Sequence, residues 1–238
     1  MTLYKHIPNT ITSMNLLSGI LGVIFTLEGR LDVALPLMIL AAVFDFCDGL
    51  AARLLQAYSP IGKELDSLAD VVSFGVLPAL MLFKVQPADA PCILRYIPLF
   101  VAAMSAVRLA KFNVDERQSL DFIGLPTPSC AMVCGSLAYF LQVSGGVPTG
   151  TGVWVLDGIA IVLGLLLVSE VPMFGMKIKK GHKLLDGKRI AFLILAVAIV
   201  LAVVLFKQNW SLAVLGVFSV YIIENLILAA IRSCSRGS

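Results

Sequence analysis

Apolar runs of about 20 residues recur along nearly the whole sequence, each long enough to cross a hydrocarbon core about 30 Å thick. With 59% of its residues hydrophobic, 14% charged and a mean hydropathy of +0.95, the chain has too little charge to cover the surface of a soluble domain. It reads as one integral membrane domain of the all-α class, a polytopic transmembrane helix bundle of about eight spans. These fall near residues 11–27, 33–52, 65–83, 93–111, 128–143, 153–176, 189–206 and 210–231, the fifth being short for a bilayer. Between them lie a charged turn at 28–32, two prolines within 86–91, the helix-breaking GLPTP at 124–128, the uncharged SGGVPTGTG at 144–152 and a basic stretch at 177–189.

Charge sets the expected orientation. With the N-terminus in the cytoplasm, every Lys and Arg falls on the cytoplasmic side except Arg30, Lys84, Arg95 and Lys207, as the positive-inside rule asks. Eight spans return the C-terminus to that side. Only Lys5 precedes the first apolar run, Ser13 and Asn15 interrupt it and no A-x-A site follows, so the first segment is expected to be a retained span. The net charge of +3 comes without a dense basic stripe, which argues against a nucleic-acid partner. Five cysteines, with no CxxC pair, argue against a disulfide framework; Cys130 and Cys134, four apart, suit helix packing.

Lipid cannot explain the stretch DFCDGLAARLLQAYSPIGKELDSLAD, residues 45–70. Asp45, Asp48, Asp66 and Asp70 sit within or at the ends of apolar helices, where each lone carboxylate costs several kcal/mol. Asp45 and Asp48 share a helix face with Gly49 and Ala52, and Asp66 and Asp70 share one with Gly62 and Ser73. The short connection 53–63 makes the two helices antiparallel neighbours, so the two carboxylate pairs face each other at the cytoplasmic end. Such a cluster suits a hard dication, Mg²⁺ or Mn²⁺, and two such ions could clamp a pyrophosphate. Gly49 and Ala52 leave room for a ligand and Arg53 offers a fork for phosphate. The structural alternative is that the aspartates merely pair with Arg53 and Lys63.

The spacing D-x2-D-G-x2-A-R-x8-G-x3-D-x3-D, carried by Asp45, Asp48, Gly49, Ala52, Arg53, Gly62, Asp66 and Asp70, resembles the signature of the CDP-alcohol phosphotransferases. The resemblance implies a membrane enzyme that displaces CMP from a CDP-linked lipid with an alcohol. It implies that Asp45, Asp48 and Asp66 bind metal, that Asp70 is a metal ligand or the general base, and that Gly49 and Arg53 touch the CDP moiety. The hydroxyl at Ser59 is implied to approach the phosphates. The segments IPNTITSMNLLSG (7–19), DSLADVVSFGVLP (66–78), RLAKFN (108–113), GLPTP (124–128) and VPMFGMKIK (171–179) are similar to those of the family's phosphatidylserine-forming branch of integral-membrane type. That implies CDP-diacylglycerol and L-serine as substrates, and relatives suggest a homodimer.

Other residues carry weaker signals. Arg108, Lys111 and Asn113 could hold the serine carboxylate or a lipid phosphate, or could serve only as positive-inside anchors. Ser73 could line the serine pocket or pack helices. Thr12 and Asn15 could contact the nucleotide. The basic stretch suits lipid headgroups, and Trp154 and Trp210 suit the membrane interface. The chain is expected to divide into a six-span core, residues 1–176, and residues 177–238 with two added spans. Other acceptors (glycerol phosphate, inositol phosphate or choline) remain open, and from another class a cation transporter using the aspartates as an ion path.

Overall fold

The computed structural model describes residues 6–88, 91–115, 122–146, 149–173 and 187–236. In a bilayer the backbone must satisfy its own hydrogen bonds, and helices do so segment by segment. The order is α1 (Ile7–Leu27), α2 (Leu31–Leu54), α3 (Pro60–Asp70), a π-helical turn (Val71–Val76), α4 (Leu77–Lys84), α5 (Cys92–Arg95), a 3₁₀ turn (Ile97–Leu99) and α6 (Phe100–Val114). Then follow α7 (Thr127–Val143), α8 (Thr151–Val168), α9 (Gly187–Leu205) and α10 (Ser211–Arg236).

Each of the eight expected segments is helical. Six of the resulting rods, Ile7–Leu27, Leu31–Leu54, Pro60–Lys84, Ile93–Val114, Thr151–Val168 and Ser211–Arg232, are long and apolar enough to cross a membrane. The segment at 128–143 forms a helix of 17 residues, and the apolar part of α9, Ile190–Leu205, is likewise short. The chain is an integral membrane protein.

Three features differ from expectation. The sixth segment, expected to reach residue 176, leaves the helix after Val168, where Ser169 is extended (φ −68°, ψ 162°). Pro172 restricts the residue before it to extended conformations, and Pro172–Met173 instead pairs antiparallel with Phe122–Ile123 as a two-residue ladder. Gly124 makes this join possible. Its φ is +78°, and a Cβ there would lie 2.6 Å from the Leu167 carbonyl oxygen. The third segment starts at Pro60 rather than near 65, because Ser59 caps it. Of the basic stretch at 177–189, residues 177–186 lie outside the described residues.

The third departure concerns neighbours. α2 and α3 were expected to pack directly on one another. Instead α1 is the main packing partner of both, and α2 and α3 meet where their aspartates converge. Between helices in lipid there is no hydrophobic driving force, so close approach through small residues carries the packing. α7 is the clearest case: Ser129, Cys130, Ala131, Cys134, Gly135 and Ala138 are all buried. They face a core of Leu31, Leu35, Met38, Phe74, Leu77 and Met81. At the end away from the aspartates, Lys84 Nζ donates to the Leu27 carbonyl (2.8 Å) and the Gln86 amide to buried Asp157 (2.6 Å).

Candidate active site

The turn between α2 and α3 is built by two end signals. α2 closes with a Schellman motif: the Ala57 N–H donates to the Ala52 carbonyl at 3.0 Å and the Gln56 N–H to that of Arg53 at 3.4 Å. Gln56 takes the left-handed conformation, φ +49°, that this motif needs. Two residues later Ser59 is the N-cap of α3, its Oγ accepting from the Gly62 N–H at 2.9 Å, with Pro60 at the first helical position. The chain thus reverses within five residues and sets the last turns of α2 opposite the first turns of α3.

Asp45, Asp48 and Asp66 converge there. One oxygen from each lies within 4.8 Å of the others. The Thr12 hydroxyl of α1 donates to Asp48 Oδ2 at 2.6 Å, while one oxygen of Asp66 is buried with no hydrogen-bond partner. None of the three makes an ion pair with a described residue; the Arg30–Asp32 pair at 3.3 Å is exposed and involves none of them. Arg53 Nε donates to the Gly49 carbonyl (2.8 Å) and Lys63 Nζ to the Asn113 carbonyl (2.8 Å), so neither pairs with an aspartate.

Asp70 stands apart from this trio, one turn beyond Asp66. It is 7% exposed, and the Asn15 amide donates to its Oδ1 at 3.1 Å. The π turn begins at the next residue. π turns are rare and frequent at functional sites. Here the turn brings Ser73 against α1, where its hydroxyl donates to the Asn15 carbonyl at 3.1 Å. Gly19 permits that contact, since a Cβ on it would fall 2.9 Å from the Ser73 Cα. Asn15 is thereby held from both its backbone and its side chain.

A cavity of about 420 Å³ opens beside the trio. Of the residues singled out in the sequence, Thr12, Asp48, Gly49, Ala52, Arg53, Ser59, Gly62 and Asp66 line it. Asp45 and Asp70 do not line it, and Asn15 and Ser73 are buried on the α1 side of Asp70. Asn9 and Tyr58 also line the cavity and had no role in the sequence reading, and Lys63, considered there only as a partner for the aspartates, lines it too. Asn9 lay in plain view in the quoted segment 7–19, without a partner until α1 was placed.

The weaker candidates separate. Arg108 is buried, donates to the Thr127 hydroxyl at 3.0 Å and lies over the Phe112 ring at 5.4 Å. Its charge acts on Asp70 and Asp45. Thr127, within GLPTP, is thus a site neighbour that the sequence signalled only as part of a helix breaker. Asn113 is turned to α3, donating to Ser67 at 3.0 Å and Glu64 at 3.3 Å, and Lys111 is exposed.

The family model described as CDP-alcohol phosphatidyltransferase matches residues 5–168, the stretch that holds all four aspartates and the cavity. The chain belongs to the CDP-alcohol phosphatidyltransferase family. It is 33% identical over 204 residues to a CDP-diacylglycerol--serine O-phosphatidyltransferase of Mycobacterium bovis, covering 82% of this chain and 68% of the relative. A protein of the same name from Bacillus subtilis is 35% identical over 135 residues, covering 57% of this chain and 76% of the relative. An archaetidylserine synthase of Methanothermobacter thermautotrophicus is 35% identical over 141 residues, covering 57% of this chain and 58% of the relative.

CDP-alcohol phosphatidyltransferases generally use divalent metal ions, and the donors here fit one. Three carboxylates without cationic partners, one with an orphaned buried oxygen, form an all-oxygen site for a hard dication.

Proposed function

We propose that this protein transfers the phosphatidyl group from CDP-diacylglycerol to L-serine, giving phosphatidylserine and CMP. The observation that carries the reading is the cavity: it joins Asp48 and Asp66 of the trio to Gly49, Ala52 and Arg53. The identities with relatives named for this reaction support serine as the acceptor.

Asp45, Asp48 and Asp66 would hold Mg²⁺ or Mn²⁺, two ions in our reading, with Asp70 as a further ligand or as the base. Such ions would neutralise the pyrophosphate and the departing CMP phosphate. The protein's own groups do the rest. Arg53 and the Ser59 hydroxyl would receive phosphate oxygens at the cavity mouth, and Thr12 keeps Asp48 oriented. Asn15 occupies one oxygen of Asp70 and leaves the other to accept a proton. The serine hydroxyl attacks the phosphorus bearing diacylglycerol, its proton passes to Asp70, and the bond to CMP breaks. Arg108, buried and held by the Thr127 hydroxyl, would take the serine carboxylate.

Gly49 gives a second line of support. A Cβ there would meet only Arg53 Nη2, at an ordinary 3.5 Å, and Gly inside a helix costs about 1 kcal/mol relative to Ala. Nothing in the fold itself calls for glycine at this position; the open space belongs to the cavity.

The test is purified protein in micelles containing CDP-diacylglycerol, assayed for CMP release and incorporation of labelled serine. Incorporation of serine in step with CMP release is expected. CMP release with another alcohol but not with serine would reject the acceptor, and no CMP release from any alcohol would favour the transporter reading. In the same assay Gly49→Ala should raise the KM for CDP-diacylglycerol about 10-fold or more, an effect of 1.4 kcal/mol, with no loss of thermal stability.

In our reading the cavity opens to the cytoplasm, the side favoured by the Lys and Arg distribution. A single cysteine at Ser59 in a cysteine-free background should react with an impermeant maleimide only from the cytoplasmic side, and one at Gly150 only from the opposite side. Reversal of the two would reject the orientation.

A further inference from the structure

α3 has to present Asp66 to the trio, yet its own burial does little to hold it. The helix is 11 residues long, begins at the sharp reversal after α2 and runs directly into the π turn. A helix that short is marginal by itself and depends on what it packs against. Its buried residues are the last two, Ala69 and Asp70. Residues 60–68, which include Asp66, contain none. Asp45 and Asp48 carry the same charge as Asp66, so without a cation the trio itself pushes α3 away from α2.

α1 supports α3 along one side, and a second tie runs to the last turn of α6. Asn113 Nδ2 donates to the Ser67 hydroxyl at 3.0 Å and to Glu64 Oε2 at 3.3 Å. Lys63 Nζ donates to the Asn113 carbonyl at 2.8 Å, and the Ser67 hydroxyl donates in turn to the Lys63 carbonyl at 3.3 Å. Lys63, Glu64 and Ser67 share one face of α3, three and four residues apart. Ser67 follows Asp66 in the chain, about 100° further round the helix. Any rotation of α3 that broke these bonds would therefore carry the Asp66 carboxylate with it. An amide nitrogen has two N–H donors, and both of those on Asn113 are committed to α3, so none is left for an acceptor carboxylate.

We propose that Asn113 is a positioning residue for the metal site: by fixing the rotation of α3 it holds Asp66 where a divalent cation can be shared with Asp45 and Asp48. The proposal rests on the metal-site reading above and is indifferent to the acceptor alcohol. It gives Asp66 the outside support that the Thr12 hydroxyl gives Asp48. Partners that orient metal ligands without touching the metal matter about 10–100-fold in affinity.

The experiment uses full-length protein stripped of metal, with Mn²⁺ as the probe. Binding is read by calorimetry and by the paramagnetic resonance of the free ion. Asn113→Ala should raise the Kd for Mn²⁺ about 10-fold, the lower end of that range. Asn113→Asp, which keeps the size but sets a second carboxylate beside Glu64, should do no better. Ser67→Ala should shift the Kd in the same direction by a smaller factor, because the Glu64 and Lys63 bonds survive. The double variant Asn113→Ala, Ser67→Ala should fall short of the product of the two, since both remove one shared bond. With saturating metal the KM for serine should stay within about 2-fold of wild type. Should Asn113→Ala fail to fold, as a melt of the metal-free protein would show, the milder Ser67→Ala decides the matter. Unchanged Mn²⁺ affinity, independent effects in the double variant, or a raised serine KM with Mn²⁺ affinity intact would each overturn the role of Asn113. Wild-type protein that binds no Mn²⁺ would overturn the metal-site reading, and this proposal with it.

Discussion

Asp66→Asn should abolish turnover, with CMP release falling at least ~10²–10³-fold, the loss typical of removing one preorganised charge-stabilising group. Asp45→Asn and Asp48→Asn should behave alike, because the three oxygens lie within 4.8 Å of one another and act as one site. EDTA should silence the wild type, and Mg²⁺ or Mn²⁺ should restore it. The stability of these variants should move the other way. With metal removed, three like charges in a half-buried cluster repel one another, and none of them has an ion-pair partner among the described residues. In EDTA, Asp66→Asn should therefore melt no lower than wild type; with saturating metal the wild type should gain stability and the variant should not. Full activity in EDTA, or a variant that loses both fold and function in EDTA, would reject the metal-site reading.

Asp70→Asn should separate binding from chemistry. Asp70 lies outside the trio, is held by Asn15 and does not line the cavity, so affinity for CDP should survive while turnover falls about 10²–10⁴-fold, the range of general-base groups. Arg53→Ala should show the opposite bias. Arg53 lines the cavity mouth, so its loss should raise the KM for CDP-diacylglycerol more than it lowers kcat. Calorimetric CDP titration alongside turnover on both variants decides the matter. If Asp70→Asn loses CDP affinity as fully as Asp45→Asn, Asp70 is chiefly a metal ligand and the base lies elsewhere.

Much of this site was legible along the chain because its parts are close in sequence. Helical spacing of 3 or 4 residues aligns Asp45 with Asp48 and Asp66 with Asp70, and a short connection brings the pairs together, so local rules were enough. Hydropathy located every helix for the same reason: the length needed to cross lipid is a property of the run itself. Residues further apart had no such rule. Thr12 to Asp48 and Asn15 to Asp70 are contacts across 36 and 55 positions, and the role of α1 as the element between α2 and α3 follows from packing shape. Nor does composition announce the π turn at Val71–Val76, which depends on how closely Gly19 lets α1 approach Ser73.

Sequence alone therefore determined the membrane class, the helices, the aspartate cluster and the family resemblance, since each rests on periodicity or spacing within a few turns. Tertiary structure decided which helices are neighbours, that Asp70 stands apart from the other three, that Asn113 is engaged with α3 while Arg108 is held by Thr127, and that α10 packs along α7. In lipid the apolar surfaces of helices are nearly interchangeable to the solvent, so hydrophobicity cannot choose partners. Small residues such as Gly19 and the α7 stripe, and a few buried hydrogen bonds, make that choice, and their effect appears only when the helices are brought together.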